Sequence, residues 1–138
     1  MNTENLEYDF SCWVIKYDGK SICGKIYQKD SLKNSDGVTV PLLWNHQHNE
    51  LESVLGYAIL ESRDEGIYAY CTLYNIPAAG IAKDMIIDRG SVSLSPYINH
   101  VKFGGKYIEH GVIKEVSLVR ARIDPDEVYY PVMKQDND

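Results

Sequence analysis

Three serines occupy alternate positions in the segment GSVSLSPYINH. Successive side chains of a β-strand point to opposite faces, so Ser91, Ser93 and Ser95 would share one face of a strand. A serine hydroxyl becomes a nucleophile when a base lies within hydrogen-bond distance and donors stabilise the oxyanion. A row of serines is also typical of the solvated face of an amphipathic strand. The row alone leaves both interpretations open, and no G-x-S-x-G motif indicates the α/β-hydrolase arrangement.

A candidate base lies in LLWNHQHNE, where an apolar stretch ends and His46 and His48 follow. Histidine is the usual general base for a serine because its pKa lies near working pH. His-x-His spacing can also hold a zinc ion, but zinc would need further ligands from His100, His110 or Cys71. No spacing in the chain indicates such a set, so we expect no metal ion. Two exposed loop histidines without a function are the remaining alternative.

A carboxylate lies within the longest predicted strand, GVIKEVSLVRARI, which covers residues 111–123. In a regular strand its odd-numbered positions form the more apolar face, and Glu115 belongs to that face. A carboxylate facing a core is costly unless it is hydrogen-bonded or paired with a cation. A structural salt bridge is one explanation, and orientation of a catalytic group is the other. The strand by itself favours the salt bridge.

Most of the chain is predicted to form short strands separated by turn residues. The turn RDE joins the two most regular of these, LGYAILES and GIYAYCTLY, into a β-hairpin. The other predicted strands are FSCWVIKY and SICGKIYQ around a DGK turn, VTVPLLW with Pro41 marking an edge or bulge, SVSLSPYI, HVKF and KYIE around Gly104-Gly105, and GVIKEVSLVRARI.

One segment, IPAAGIAKDMIIDRG, has helical rather than alternating periodicity. Pro77 suits the first turn of a helix and Gly90 suits the position just after its end. The residues at helical spacing are Ala78, Ile81, Ala82, Met85 and Ile86. We therefore expect an α+β, mainly β fold, in which a β-barrel or a strongly curled antiparallel sheet carries few flanking helices.

Length and charge limit the class of protein. The chain has 138 residues, which suits a single domain over 1–138 with an ordered core at about 10–131 and a polar tail at 132–138. A net charge of −6 argues against nucleic-acid binding, which depends on basic residues. No apolar run approaches the roughly 20 residues of a membrane span, and the N-terminus lacks a signal peptide. We expect a cytoplasmic protein without membrane contact, whose three cysteines are reduced.

The order of the motifs resembles one family. PLLWNHQ is followed by a G-x-x-Y strand in a hairpin, then a helix, VSLS and IKEVSLVRARIDPDEV. In this order the segments resemble the prohead (head maturation) proteases of tailed phages, relatives of the herpesvirus assemblin proteases. The resemblance covers roughly residues 10–131, and EVSLV together with LLWNH is its most specific part.

The resemblance implies a catalytic set. His46 corresponds to the family's catalytic histidine and Ser93 to its nucleophile, with Ser91 and Ser95 as the alternatives because Ser95-Pro96 departs from the usual motif. Glu115 corresponds to the acidic residue that opens EVSLV, the third member proposed for the family. The herpesvirus relatives use a second histidine instead, so His110 competes for that role.

The resemblance also implies a fold and a function. The fold would be a herpesvirus-protease-like β-barrel, and the protein a serine endopeptidase acting inside assembling proheads in the host cytoplasm. Its substrates would be the scaffold, the major capsid protein precursor and its own chain. By analogy the Arg120–Arg122 segment would lie near the oxyanion donors, and the dimerisation of the herpesvirus relatives implies a homodimer. No cofactor would be required. Two alternatives remain open: an inactive capsid-assembly or scaffold-binding module on the same fold, and an unrelated β-barrel that uses its eleven tyrosines for binding.

Overall fold

The computed structural model describes residues 3, 5–19, 26–47, 53–88, 90–120 and 129–134. Within these ranges the fold is mainly β, with one α-helix and a short 3-10 helix at Lys33–Ser35. The strands are Phe10–Lys16 (β1), Ile26–Tyr27 (β2), Thr39–Trp44 (β3), Val54–Arg63 (β4), Gly66–Leu73 (β5), Val92–Gly104 (β6), Tyr107–Arg120 (β7) and Val132–Met133 (β8). The helix, α1, spans Pro77–Ile87.

The eight strands form one strongly curled sheet, shaped like half a barrel. Its main path runs in the order β2-β7-β3-β4-β5-β1-β8, and β6 pairs with β7 alongside this path. Most pairs are antiparallel, as predicted, but β7 pairs in parallel with both β2 and β3. The prediction of a mainly β, curled fold is therefore confirmed, and the sheet is mixed rather than purely antiparallel.

The predicted hairpin of β4 and β5 is present. Its strands pair from Gly56 and Leu73 at the open end to Arg63 and Gly66 at the closed end, where two residues form the turn. The predicted hairpin of the first two strands falls partly on residues 20–25, which lie outside the described residues. Among the described residues, β1 pairs with β5 and β8, and Ile26–Tyr27 pairs with β7.

The predicted helix is also present, with Pro77 as its first residue. Gly90 follows its end with a φ of 90°, a left-handed conformation that glycine adopts at little cost. The helix buries Ala79, Ala82 and Ile86 against the sheet. Ile81 was expected on the buried side but is 64% exposed, so the inward face is rotated relative to the prediction. The described residues contain no helix that is both long and apolar enough to span a bilayer.

The core lies on one face of the sheet, where strands from both ends of the chain meet α1. Burial of each large aliphatic side chain there contributes roughly 2 kcal/mol. Its fully buried members include Phe10, Leu42, Leu60, Ile67, Ile113 and Leu118. β8 closes this end of the sheet by pairing with β1, although Val132 and Met133 were expected in a polar tail. The remainder of that tail, residues 135–138, lies outside the described residues.

Candidate active site

Strand β7 places Glu115 on the side of the sheet that faces away from the core. Glu115 pairs with Tyr97, whereas Ile113 pairs with Ile98, the next residue of β6, so Lys114 is the extra residue of a β-bulge. The bulge turns each following side chain to the opposite face. Beyond it the core residues of β7 carry even numbers, Val116 and Leu118. The expectation that all odd positions share one core-facing side is therefore wrong, because it assumed an unbroken strand.

The same register brings serines from β6 and β7 together. Ser95 pairs with Ser117, and Ser93 pairs with Val119 two positions further along. Directly paired residues of adjacent strands lie on the same face. We call the face that carries Ser93, Ser95, Glu115 and Ser117 the site face. It is unusually polar for a covered surface: Ser93 and Glu115 are each 7% exposed and Ser117 is 0% exposed.

His46 reaches the site face from a tight turn at the end of β3. The parallel pairing of β3 with β7 ends at Trp44 opposite Leu118. The chain then reverses, and the Gln47 amide donates to the Trp44 carbonyl at 3.1 Å. The two central residues, Asn45 and His46, have φ angles of 52° and 56°. Positive φ at both central positions is the type I′ pattern, and it directs the imidazole back over β7.

The imidazole lies between a hydroxyl and a carboxylate. His46 Nε2 is 3.1 Å from Ser95 Oγ, within hydrogen-bond distance. On the other side of the ring, Nδ1 is 3.7 Å from Glu115 Oε1, slightly beyond hydrogen-bond distance. The side chain of His46 is 30% exposed and that of Glu115 is 9% exposed. The arrangement is a serine, a histidine and an acid in line, the order of a hydrolytic triad.

Ser117 contacts the backbone of the same histidine. The His46 amide donates a hydrogen bond to Ser117 Oγ at 3.0 Å. Reasoning from sequence missed this residue. The available signal was its place two residues after Glu115, which puts both side chains on one face of β7.

No family model, curated protein or solved structure matches the chain. The family resemblance therefore remains a prediction from the residues themselves.

The three serines of the opening motif have different surroundings. Ser91 precedes β6, and its hydroxyl donates to Asp88 Oδ2 at 2.7 Å near the end of α1. Ser93 shares the site face but lies roughly 7 Å along β6 from the position of Ser95. The structure thus brings His46 together with Ser95, the alternative nucleophile, while the expected Ser93 is one strand repeat away.

The other predicted residues fall in different places. His110 pairs with Lys102 in the distant part of the β6–β7 hairpin, roughly 16 Å along β7 from Glu115. Arg120 is exposed and pairs with Val92, while residues 121–128 lie outside the described ranges. His48 also lies outside them. The described side chains include no cluster of three or more potential metal ligands.

The two described cysteines are poor nucleophile candidates. Cys12 and Cys71 are free thiols in the core, 2% and 0% exposed. Burial raises the pKa of both thiols, because the charged thiolate is unfavourable away from water. They therefore stay protonated and unreactive, whereas Ser95 on the site face lies within hydrogen-bond distance of the His46 imidazole.

Proposed function

We propose that this protein is a serine endopeptidase, with Ser95 as nucleophile, His46 as general base and Glu115 as the residue that orients the imidazole. The observation that carries the proposal is the hydrogen bond between His46 Nε2 and Ser95 Oγ, with a buried carboxylate on the opposite side of the ring. A buried carboxylate beside the ring favours a positive charge on that ring. An imidazolium at His46 would carry this charge during acyl transfer.

In the proposed reaction His46 carries one proton from the nucleophile to the leaving group. With the Nδ1 proton directed to Glu115, Nε2 accepts the Ser95 hydroxyl proton as Oγ attacks the scissile carbonyl. The same proton then passes from Nε2 to the leaving amine, and the acyl-enzyme forms. Water repeats the sequence and releases the acid product. Glu115 stabilises the imidazolium in both halves of the reaction. A rotation of the ring that shortens the 3.7 Å separation brings Nδ1 within hydrogen-bond distance of the carboxylate.

The expected biological role is maturation of a phage prohead. The resemblance rests on PLLWNHQ, VSLS and EVSLV, and these segments lie in β3 with its turn, β6 and β7, the three elements that surround His46. That adjacency supports a shared catalytic arrangement. The substrates would be the scaffold, the major capsid protein precursor and the protein itself, cleaved inside assembling proheads in the host cytoplasm. A homodimer belongs to the same proposal.

A second function is an inactive assembly or scaffold-binding module on the same fold. Two observations favour it: Pro96 follows the serine directly, and the His46–Glu115 separation exceeds a hydrogen bond. Ser93 is likewise kept as the competing nucleophile, because it occupies the same face.

Co-expression with the capsid precursor tests these proposals. We expect wild type to shorten the precursor, as read by intact mass, and Ser95→Ala and His46→Ala to leave it whole. Ser93→Ala is the matched variant, one strand repeat away on the same face, and should retain cleavage. Loss of cleavage in Ser93→Ala but not in Ser95→Ala would make Ser93 the nucleophile. A folded wild type that neither cleaves nor reacts with a fluorophosphonate, a covalent serine probe, would favour the assembly module.

A further inference from the structure

The backbone of the candidate base is held in an unfavourable conformation. Asn45 and His46 both have positive φ. For residues other than glycine a left-handed conformation costs roughly 1–2 kcal/mol, although asparagine and histidine tolerate it better than most. Such a turn persists only where surrounding contacts hold it. Some contact must therefore fix His46 against relaxation to negative φ.

Ser117 supplies a contact of this kind. Its hydroxyl oxygen accepts the His46 amide at 3.0 Å, and its side chain has no solvent exposure. A fully buried hydroxyl is unfavourable unless it forms hydrogen bonds. Its neighbours in β7, Val116 and Leu118, are apolar and face the core. A polar residue at this position is explained by its bond to the turn.

The position of the turn sets both distances of the triad. The imidazole is attached to the residue whose amide Ser117 holds, so Nε2···Ser95 Oγ and Nδ1···Glu115 Oε1 both depend on that hydrogen bond. Strand β7 thus contacts one histidine twice, through Glu115 at its ring and through Ser117 at its backbone. A displacement of about 1 Å in such a group lowers reaction rates by roughly 100-fold.

We infer that Ser117 is a positioning residue, which locks the His46 turn so that the imidazole meets Ser95 and Glu115 together. The inference rests on the proposed peptidase function. It does not make Ser117 a catalytic residue, since its hydroxyl touches the backbone of the base and not the reacting atoms.

Three substitutions at one position separate hydrogen bonding from packing. Ser117→Ala keeps nearly the same volume and removes the acceptor, whereas Ser117→Cys replaces the oxygen by a larger sulfur atom that is only a weak acceptor. Ser117→Thr keeps the oxygen. Ser31→Ala is the matched control, because Ser31 is also a buried serine (3% exposed) but contacts the other half of β7, through its carbonyl and the Gly111 amide.

The first readout is the rate of covalent labelling by a fluorophosphonate, separated into the maximal rate constant and the half-saturating concentration. We expect Ser117→Cys and Ser117→Ala to lower the maximal rate constant roughly 10- to 100-fold while the half-saturating concentration changes little. Ser117→Thr should recover most of the rate, and Ser31→Ala should match wild type. Thermal unfolding of each variant shows that the fold is retained. A wild-type rate constant in folded Ser117→Cys would overturn the inference.

The second readout does not depend on activity. Labelling with ¹⁵N-histidine gives signals from four histidines, and His46→Gln identifies the one from His46. We expect the His46 amide to exchange slowly with solvent in wild type and in Ser117→Thr, and much faster in Ser117→Cys. Unchanged protection in Ser117→Cys would overturn the inference even if the protein is a peptidase. Absence of labelling in wild type would overturn the peptidase proposal alone, and amide exchange would still decide whether Ser117 holds the turn.

Discussion

Two polar regions lie on the side of the sheet that faces away from the core, and they use similar groups in different ways. One is the site face with His46. The other, which we call the aromatic face, consists of Trp13, Glu61, Arg63, Tyr68 and Tyr70 on β1, β4 and β5. These residues alternate along their strands with core residues. Both regions contain a partly buried glutamate beside a cationic or ionisable partner.

On the aromatic face the charged groups satisfy one another. Arg63 Nε contacts Glu61 Oε1, its second nitrogen donates to the Tyr70 hydroxyl at 2.8 Å, and that hydroxyl donates to Glu61 at 3.0 Å. The guanidinium also lies 3.9 Å from the centroid of the Tyr68 ring. Arg63, Tyr70 and Glu61 each contact the other two, and the arginine stays positively charged. Such a network stabilises a surface and transfers no proton.

On the site face the glutamate meets a histidine instead of an arginine. Histidine can gain and lose a proton near neutral pH, whereas arginine stays charged. The Ser95 end of the Ser95–His46–Glu115 row is also accessible to solvent, because Ser95 is half-buried and the His46 side chain is 30% exposed. The role of a buried glutamate therefore depends on its partner. Beside Arg63, Glu61 is structural, whereas beside His46, Glu115 can orient a base.

Replacing each acid by its amide should separate the two regions most clearly. We expect Glu115→Gln to lower the fluorophosphonate labelling rate by roughly 10²- to 10⁴-fold, because the imidazolium loses its counter-charge and the imidazole its tautomer. The matched change, Glu61→Gln, should leave the labelling rate at the wild-type value. Equal rates in wild type and Glu115→Gln would mean that Glu115 is a structural residue like Glu61.

The thiols of Cys12 and Cys71 provide a second contrast with Ser95. They lie in the core, on the opposite side of the strands that carry the aromatic face. In the native protein the raised pKa values keep Cys12 and Cys71 protonated, whereas in the unfolded chain they ionise near their ordinary value of about 8.5. The unfolded state therefore binds fewer protons above that pH, and stability falls as pH rises. Each thiol should lower the free energy of unfolding by up to about 1.4 kcal/mol per pH unit.

Urea unfolding at pH 8, 9 and 10 in the presence of reductant measures this loss. We expect Cys12→Ala to reduce the slope of stability against pH, and the double variant with Cys71→Ala to reduce it further. Other groups, such as tyrosines, would be responsible if the double variant kept the wild-type slope. The native thiols should also react slowly with iodoacetamide at pH 8, since neither is exposed.

The sequence predicts the fold best where local and long-range signals agree. The β4–β5 hairpin and α1 are examples, because turn residues, proline and glycine mark their ends, although the buried face of α1 is rotated from the predicted one. The pairing of β2 with β7 could not be predicted, because it joins residues about 80 positions apart and no local pattern encodes it. The bulge at Lys114 is a similar case, and it reverses the face on which Glu115 lies.

The sequence predicts which residue types form the candidate site better than it predicts how strands β6 and β7 align them. Residue type makes His46 and Glu115 candidates, the family resemblance gives them catalytic roles, and the structure places Nδ1 and Oε1 3.7 Å apart. The choice between Ser93 and Ser95 depends on where β6 pairs with β7, which alternation alone does not fix, since both serines share one face. Ser117 was missed because its function is to hold a backbone amide, and only the folded turn shows which amide that is.

The smallest expected effect concerns Arg63, and it tests the structural side of the comparison. Lysine keeps the charge but loses the planar group that contacts Glu61, Tyr70 and the Tyr68 ring together. We expect Arg63→Lys to lower the free energy of unfolding by about 1 kcal/mol without changing the labelling rate. A double-mutant cycle with Glu61→Gln should give a coupling energy of about 0.5–1 kcal/mol in urea unfolding. No coupling would show that the two charges are held by the rings around them rather than by each other, and a reduced labelling rate in Arg63→Lys would mean that the two faces are not independent.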